Sequence, residues 1–282
     1  MSAGDGGCRS DGDVLIDKLI AKARKVAGIL AAPAWRRALL RHRVAAGVEH
    51  GPVLHGVADF RTVVDIGANR GQFALLARRL FPAARIISFE PLEAPANTLD
   101  QVFATDAATV CHRAAIAAEA GEKTIHVSRS DDSSSLLPIT AVQRRLFPGT
   151  EEAHTATIRS GRLGDFVSPA ELARPALLKM DVQGYELQAL QGCEELLDRF
   201  DYVYAECSFI ELYEGQGLAD GVIAWLRERD FAMCGVYNVT YDARGKAVQA
   251  DFLFRRRPRE EAEDRDSTVE RRYRLAGAAA SD

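Results

Sequence analysis

Residues 62–91 read TVVDIGANRGQFALLARRLFPAARIISFEP, and this stretch decides the fold. Val63, Val64, Asp65 and Ile66 form a short, mostly apolar run of the kind buried in a parallel strand. Residues 67–71 make a glycine-bounded turn, and residues 72–80 bring Phe73, Leu76, Ala77 and Leu80 onto one side of a helix. Pro82 stops that helix, and residues 85–89 return as a second strand that ends at an acid, Glu90. Strand, glycine turn, helix, strand and acid make the nucleotide-binding half of a doubly wound sheet. The helix N-terminus offers free backbone N–H groups, and an acid about 20 residues past the turn can hold both hydroxyls of a ribose.

The same turn discriminates between nucleotides. A dinucleotide turn reads G-x-G-x-x-G, because its second glycine lets backbone approach a pyrophosphate. Here that place is Asn69, and Asp65 adds negative charge where phosphates need none. S-adenosylmethionine (SAM) carries a sulfonium and an ammonium and has no phosphate, so it suits the turn better. The expected cofactor residues are Asp65, Gly67, Asn69, Gly71 and Glu90. A dinucleotide, or a glycine turn with no ligand at all, are the alternatives.

With 282 residues the chain has ample material for a core. Its net charge of -4 argues against non-specific nucleic-acid binding as a main activity, so no nucleic-acid partner is expected. The five cysteines are scattered, without C-x-x-C or a histidine at zinc-ligand spacing, and read as free thiols of a reducing compartment. No run of 18 apolar residues occurs and the first residues lack a signal-peptide pattern, so a cytoplasmic location is expected.

Three segments follow from the pattern. Residues 1–59 combine a Gly- and Ser-rich start with a basic helical extension over residues 14–40, interrupted at Pro33. Lys18, Lys22, Lys25, Arg36, Arg37, Arg41 and Arg43 make that extension basic; it reads either as a solvated face or as a peripheral membrane contact. Residues 47–56 look like a loop leading into the first strand. Residues 60–257 alternate strand and helix, which gives an α/β, doubly wound, mainly parallel sheet with helices on both faces. Helices are expected over residues 94–103, 163–172 and 217–229, and a closing strand pair over 231–237 and 248–254. Residues 258–282 are charged or small and read as a disordered tail.

Within the middle segment, the turn over residues 112–116, with Ala115, is expected to face an adenine. Strands over residues 123–127 and 152–161 could pair into a small accessory sheet. The polar tract between them, residues 128–135, reads by composition as a flexible loop, with a substrate-facing lid as the alternative.

Four expected strands end on acids: Asp65, Glu90, Asp181 and Glu206. An isolated buried charge is costly, so four together imply ligands that donate hydrogen bonds. In an open parallel sheet those ligands collect outside the carboxyl ends of the strands. Asp65 and Glu90 fit the cofactor, while Asp181 and Glu206 lie toward the reacting end. For methyl transfer to a hydroxyl, Asp181 is the first candidate base, with Glu206 and His154 behind it. Asp181 could instead cap the following turn or hold the methionine end of SAM. No dense acidic motif supports a metal, and none is expected.

The residues VVDIGANRGQF (63–73), ISFEP (87–91), SSSLL (133–137), LLKMDVQGYELQALQG (177–192), ECSFIELYEGQ (206–216) and QADFLF (249–254) together resemble the FkbM-type family of SAM-dependent methyltransferases. The resemblance spans roughly residues 60–255. It implies a seven-stranded class I methyltransferase fold and O-methylation of a hydroxyl on a saccharide, glycolipid or related secondary metabolite. It also raises the weight of the serine tract on the substrate side. The family pattern commonly reads D-V-E-G-H-E where this chain has Asp181, Val182, Gln183, Gly184, Tyr185 and Glu186. Roles that need a charge at the third place or an imidazole at the fifth are therefore in question. The rival class is a non-catalytic module that keeps the fold as a binding partner in a larger or membrane-associated assembly. Oligomeric state is open.

Overall fold

The structure is a computed structural model, and it describes residues 28–29 and 32–258. Seven strands form one sheet in the order β3-β2-β1-β7-β8-β10-β9. β1 (Thr62–Ile66) lies at its centre, paired in parallel with β2 (Arg85–Phe89) on one side and β7 (Ala176–Met180) on the other. β3 (Thr109–His112) and β8 (Tyr202–Ser208) extend the parallel region. β10 (Ala247–Arg256) and β9 (Phe231–Tyr241) close the sheet as an antiparallel pair. β4 (Ala115–Ile116), β6 (Glu152–Gly161) and β5 (Gly121–Ser128) form a separate three-stranded sheet, in which β5 and β6 pair antiparallel as the alternation suggested.

Both faces of the large sheet are covered, which is why its central strands are mostly apolar. Val64, Ile66, Leu178, Met180 and Val203 pack on one face, with Leu190 of α6 (Glu186–Gly192) and Leu226 of α7 (Ala219–Glu228). On the other face Val63, Ile86, Leu177 and Tyr204 meet Phe73 and Leu76 of α3 (Gln72–Leu80) and Leu99 of α4 (Glu93–Val102). α1 (Pro33–His42) joins this second face: Trp35 and Ala38 are buried, and Trp35 Nε1 donates to the Leu75 carbonyl at 2.9 Å.

Residues 28–29 are helical, Ala32 is a bend in extended backbone and Pro33 starts α1, where a proline at the first helical position costs no hydrogen bond. The expected helical residues 14–27 and most of the expected tail, residues 259–282, lie outside the described residues. Two local expectations are corrected. Residues 47–56 are not a plain loop: they hold a 3-10 turn (Val48–His50) followed by the one-turn α2 (Gly51–Leu54). Residues 163–172 form two 3-10 turns, Leu163–Asp165 and Pro169–Glu171, not one helix. Ser168 precedes a proline and sits in extended backbone, which keeps the two turns from joining into one helix.

A charge runs through the second face. Side-chain alternation puts Asp65 of β1 and Lys179 of β7 on the same side as Val63 and Leu177, and both are buried. Lys179 Nζ lies 3.1 Å from Asp65 Oδ1, 3.3 Å from the Gly67 carbonyl, 3.8 Å from Asp181 Oδ2 and 5.4 Å from the Phe73 ring centre. Burial pushes the Asp65 carboxyl up, with Lys179 pulling against it. Burial pushes Lys179 down, but Asp65 and Asp181 outweigh it and the net shift is upward. Replacing one partner of such a pair strands the other charge. Lys179→Met should therefore cost about 3–5 kcal/mol, and Lys179→Met with Asp65→Asn should recover much of that loss, read by urea unfolding.

Candidate functional site

Outside the carboxyl ends of β1, β2 and β7 lies a cavity with about 580 Å³ of empty space, its open mouth included. That position is the one where ligands collect in an open α/β sheet. Gly67, Asn69, Glu90, Ala115 and Asp181 all line it. The sequence thus named five of the residues that share its wall. Four other named residues lie off that wall. Asp65 is buried beneath the turn in its pair with Lys179. Gly71 sits behind the turn at φ 87°, where a Cβ would press on Leu99 and Phe103 at 3.0–3.1 Å, so it serves packing at the start of α3. Glu206 is joined to the wall through Gln183. His154 is exposed on β6 opposite Val127 and is not among the lining residues.

The turn is held very close to the end of β7. A Cβ on Gly67 would fall 1.8 Å from the Asp181 carbonyl oxygen, so only glycine fits there. Gly67 N and Ala68 N both donate to the Phe89 carbonyl at 3.0 Å, which fixes the turn against β2. Asn69 adopts φ 46°, a left-handed conformation that asparagine tolerates better than most residues. Its N–H donates to Glu90 Oε2 at 2.9 Å, and Leu92 N–H donates to Glu90 Oε1 at 2.9 Å. The carboxyl is therefore anchored by one bond to each oxygen. Burial pushes the Glu90 carboxyl up to about 7 despite those two donors.

At the other end Asp181 and Glu206 share one amide. Gln183 Nε2 donates to Asp181 Oδ1 at 2.7 Å and to Glu206 Oε2 at 3.2 Å. Gln249 Nε2 donates to Glu206 Oε1 at 2.8 Å. Protein surrounds Glu206, although part of it still reaches solvent, and its carboxyl is raised well above the usual range. Burial is the main cause, followed by the charges of Asp181, Asp251 and Glu186. The serine tract forms a further wall: Asp131, Asp132, Ser134 and Ser135 face the cavity. It is tied down by the Arg70–Asp131 ion pair and by Ser135 Oγ, which donates to the Gln183 carbonyl at 2.7 Å.

Sequence reasoning missed Gln183, Lys179 and Tyr213 as parts of the site. Lys179 was legible in principle, as a lone cation inside an apolar strand and two residues before Asp181. Tyr213 was not, because its contact with Gln183 joins residues 30 apart through loops. Among the described residues no group of three or more His, Cys, Asp or Glu side chains is arranged to hold a metal.

A seven-stranded sheet of this order, with an acid-lined cavity beyond a glycine turn, is the architecture expected of a class I methyltransferase. The Methyltransferase FkbM domain family matches residues 65–233, and the chain belongs to that family. It is similar to the 2-O-methyltransferase NoeI of Sinorhizobium fredii, at 30% identity over 161 residues, which is 55% of this chain and 66% of that protein. It is also similar to Methyltransferase 1 of Beauveria bassiana, at 26% identity over 164 residues, or 52% of this chain and 65% of the relative. The chain thus spans slightly under two thirds of these two relatives. A crystal structure of methyltransferase FkbM from Methylobacillus flagellatus aligns with a TM-score of 0.48 and 14% identity, covering 78% of this chain and 52% of that one.

The raised acids fix a pH dependence of stability. Glu186 is buried; its Oε1 accepts from Val182 N and Gly184 N, yet burial pushes the carboxyl up to about 7. A carboxyl raised on folding holds its proton more tightly in the native state. Its stabilising share is whole below the ordinary value of 4.5 and is lost as pH rises toward 7. Each such group contributes a slope of up to about 1.4 kcal/mol per pH unit across that window. Glu186→Gln keeps the accepting oxygen and should flatten the fall in unfolding free energy between pH 5 and about 7, leaving the part due to Glu90. An unchanged slope would place the Glu186 titration elsewhere.

Proposed function

We propose that the chain is a SAM-dependent O-methyltransferase whose acceptor is a hydroxyl of a saccharide, glycolipid or related secondary metabolite. The observation that carries this reading is that Glu90 and Asp181 face one cavity from opposite sides of the Gly67 turn, while a single amide joins Asp181 to Glu206. The relative named as a 2-O-methyltransferase supports a hydroxyl as acceptor.

The residues present fit SAM. Each Glu90 oxygen accepts one backbone N–H and has capacity left for a ribose hydroxyl. Ala114, Ala115, Ile116, Ile125 and Leu136 give an apolar wall suited to an adenine. Asn69 lines the cavity, and its buried Oδ1 has no donor among the described residues, which suits an ammonium or hydroxyl. When bound, SAM supplies a methyl carbon made electrophilic by its sulfonium.

The chain's own work is then to orient the acceptor and move one proton. Asp181 accepts the proton of the hydroxyl, and its one-third exposure lets that proton pass to solvent. Glu206, which lies behind the wall and keeps its proton to higher pH, acts on Asp181 through the Gln183 amide that they share. Positioning dominates the rate, and the base adds about 10²–10⁴-fold.

Two outcomes test this reading. Calorimetry should show SAM and S-adenosylhomocysteine binding, and Glu90→Ala should weaken both by about 10–100-fold, the loss of hydrogen bonds to a charged group. With methyl-labelled SAM and a panel of saccharides and glycolipids, label should pass to a hydroxyl, and Asp181→Asn should cut turnover by about 10²–10⁴-fold. If neither adenosyl ligand binds, the chain is a non-catalytic member of its family; label on nitrogen would overturn the O-methyl assignment.

A further inference from the structure

We propose that Gln183 is the positioning residue of this reaction centre: its amide ties the Asp181 and Glu206 carboxyls into one acid–base pair. The inference rests on the reading of those two acids given above, and it concerns a place where the chain departs from the family pattern by carrying an amide in place of a carboxylate.

Every hydrogen-bonding position of the amide is assigned by its neighbours. Gln143 Nε2 donates to the Tyr213 hydroxyl at 3.3 Å, and the Tyr213 proton faces two acceptors, Gln183 Oε1 at 2.8 Å and the Ser133 carbonyl at 3.1 Å, of which Gln183 is the nearer. With its oxygen so occupied, the Gln183 side chain must turn both Nε2 protons toward the acids, one to Asp181 Oδ1 and one to Glu206 Oε2. Donors and acceptors then run in one direction from Gln143 to the carboxyls, the arrangement in which successive bonds strengthen one another. The backbone is held as firmly. Gln183 sits at φ 54°, and Ser135 Oγ donates to its carbonyl, so the residue is fixed both by the sheet end and by the serine tract.

A glutamate at this place could not do the same work. It has no N–H to donate, and it would add a third acid beside two that already face Glu186 and Asp251. Lys179 is the cation that faces Glu206, and Tyr204, Cys207 and Tyr213 are the other titratable groups against it. Donation from the amide favours the ionised form of each carboxyl, which readies Asp181 to take the hydroxyl proton, while burial and the neighbouring acids act the other way on Glu206. The amide gains and loses no proton in the cycle: the acceptor O–H breaks, Asp181 gains the proton, and solvent removes it.

The test uses the full-length protein without ligand, labelled with ¹³C at the aspartate and glutamate carboxyls. The Asp181 and Glu206 signals are assigned with Asp181→Asn and Glu206→Gln. In Gln183→Met, which keeps the volume and loses the amide, the Glu206 midpoint should rise by about one pH unit, a tenfold weaker acid. Tyr213→Phe leaves Gln183 in place but frees its orientation, and should raise the Glu206 midpoint by a smaller amount. This variant carries the test if Gln183→Met does not fold. Gln183→Glu should raise the Glu206 midpoint and take up one further proton. Midpoints within about 0.3 unit of wild type in both Gln183→Met and Tyr213→Phe would overturn the proposal and leave Gln183 a space-filling residue. Failure of wild-type protein to bind S-adenosylhomocysteine would instead remove the enzyme reading while leaving these titrations as they stand.

Discussion

The approach of the first turn to the end of β7 is the constraint on which the site depends. Gly67 passes so close to the Asp181 carbonyl that no side chain fits between them, and Lys179 binds both partners from below. One ammonium, 112 residues along the chain from the turn, meets Asp65, the Gly67 carbonyl and Asp181. It therefore closes β1 on β7 and also supplies positive charge under a cavity otherwise edged by acids. A hydrophobic residue at 179 would pack in that face, but it would leave Asp65 unpaired in the sheet centre.

The same sheet face shows how surroundings set the behaviour of chemically similar groups. Glu206 and Asp251 are direct partners across β8 and β10. Glu206 faces other acids and is pushed up. Burial alone would also raise Asp251, but it is held below its ordinary value by His50, Asn238 and Tyr204. Tyr204 OH and Asn238 Nδ2 each donate to its Oδ2 at 2.7 Å, and His50 Nδ1 lies 3.2 Å away. Two neighbouring acids are thereby separated into one that stays ionised and one that keeps its proton. That division eases the repulsion between the two acids.

Much of this was legible in the sequence, for definable reasons. The central strands and helices carry strong apolar periodicity, and the glycine turn followed by an acid has few other uses, so the fold and the Gly67–Glu90 side of the cavity could be read. The pairing of the accessory strands followed from their alternation. The rest depends on contacts between residues distant in sequence. Gln183 looked like a neutral departure from a pattern until Tyr213 and Gln143 were seen to aim it. Asp65 was read as a ligand-facing acid because nothing along the chain announces that Lys179 lies beside it. Residues 163–172 looked helical because their apolar spacing hides the break that Pro169 makes.

His50 carries a consequence of a different kind. It belongs to a short turn outside the matched family region, yet its ring packs edge-on against Phe73 and Tyr204, and Gly47 N bonds the Gln72 carbonyl at the start of α3. The boundary at which recognisable ancestry begins is therefore not a seam in the folded molecule. Residues 33–59 pack in the same core as the matched region, and through His50 they form part of the wall that sets the charge state of Asp251, so the cooperative unit of this chain is larger than the region the family model marks.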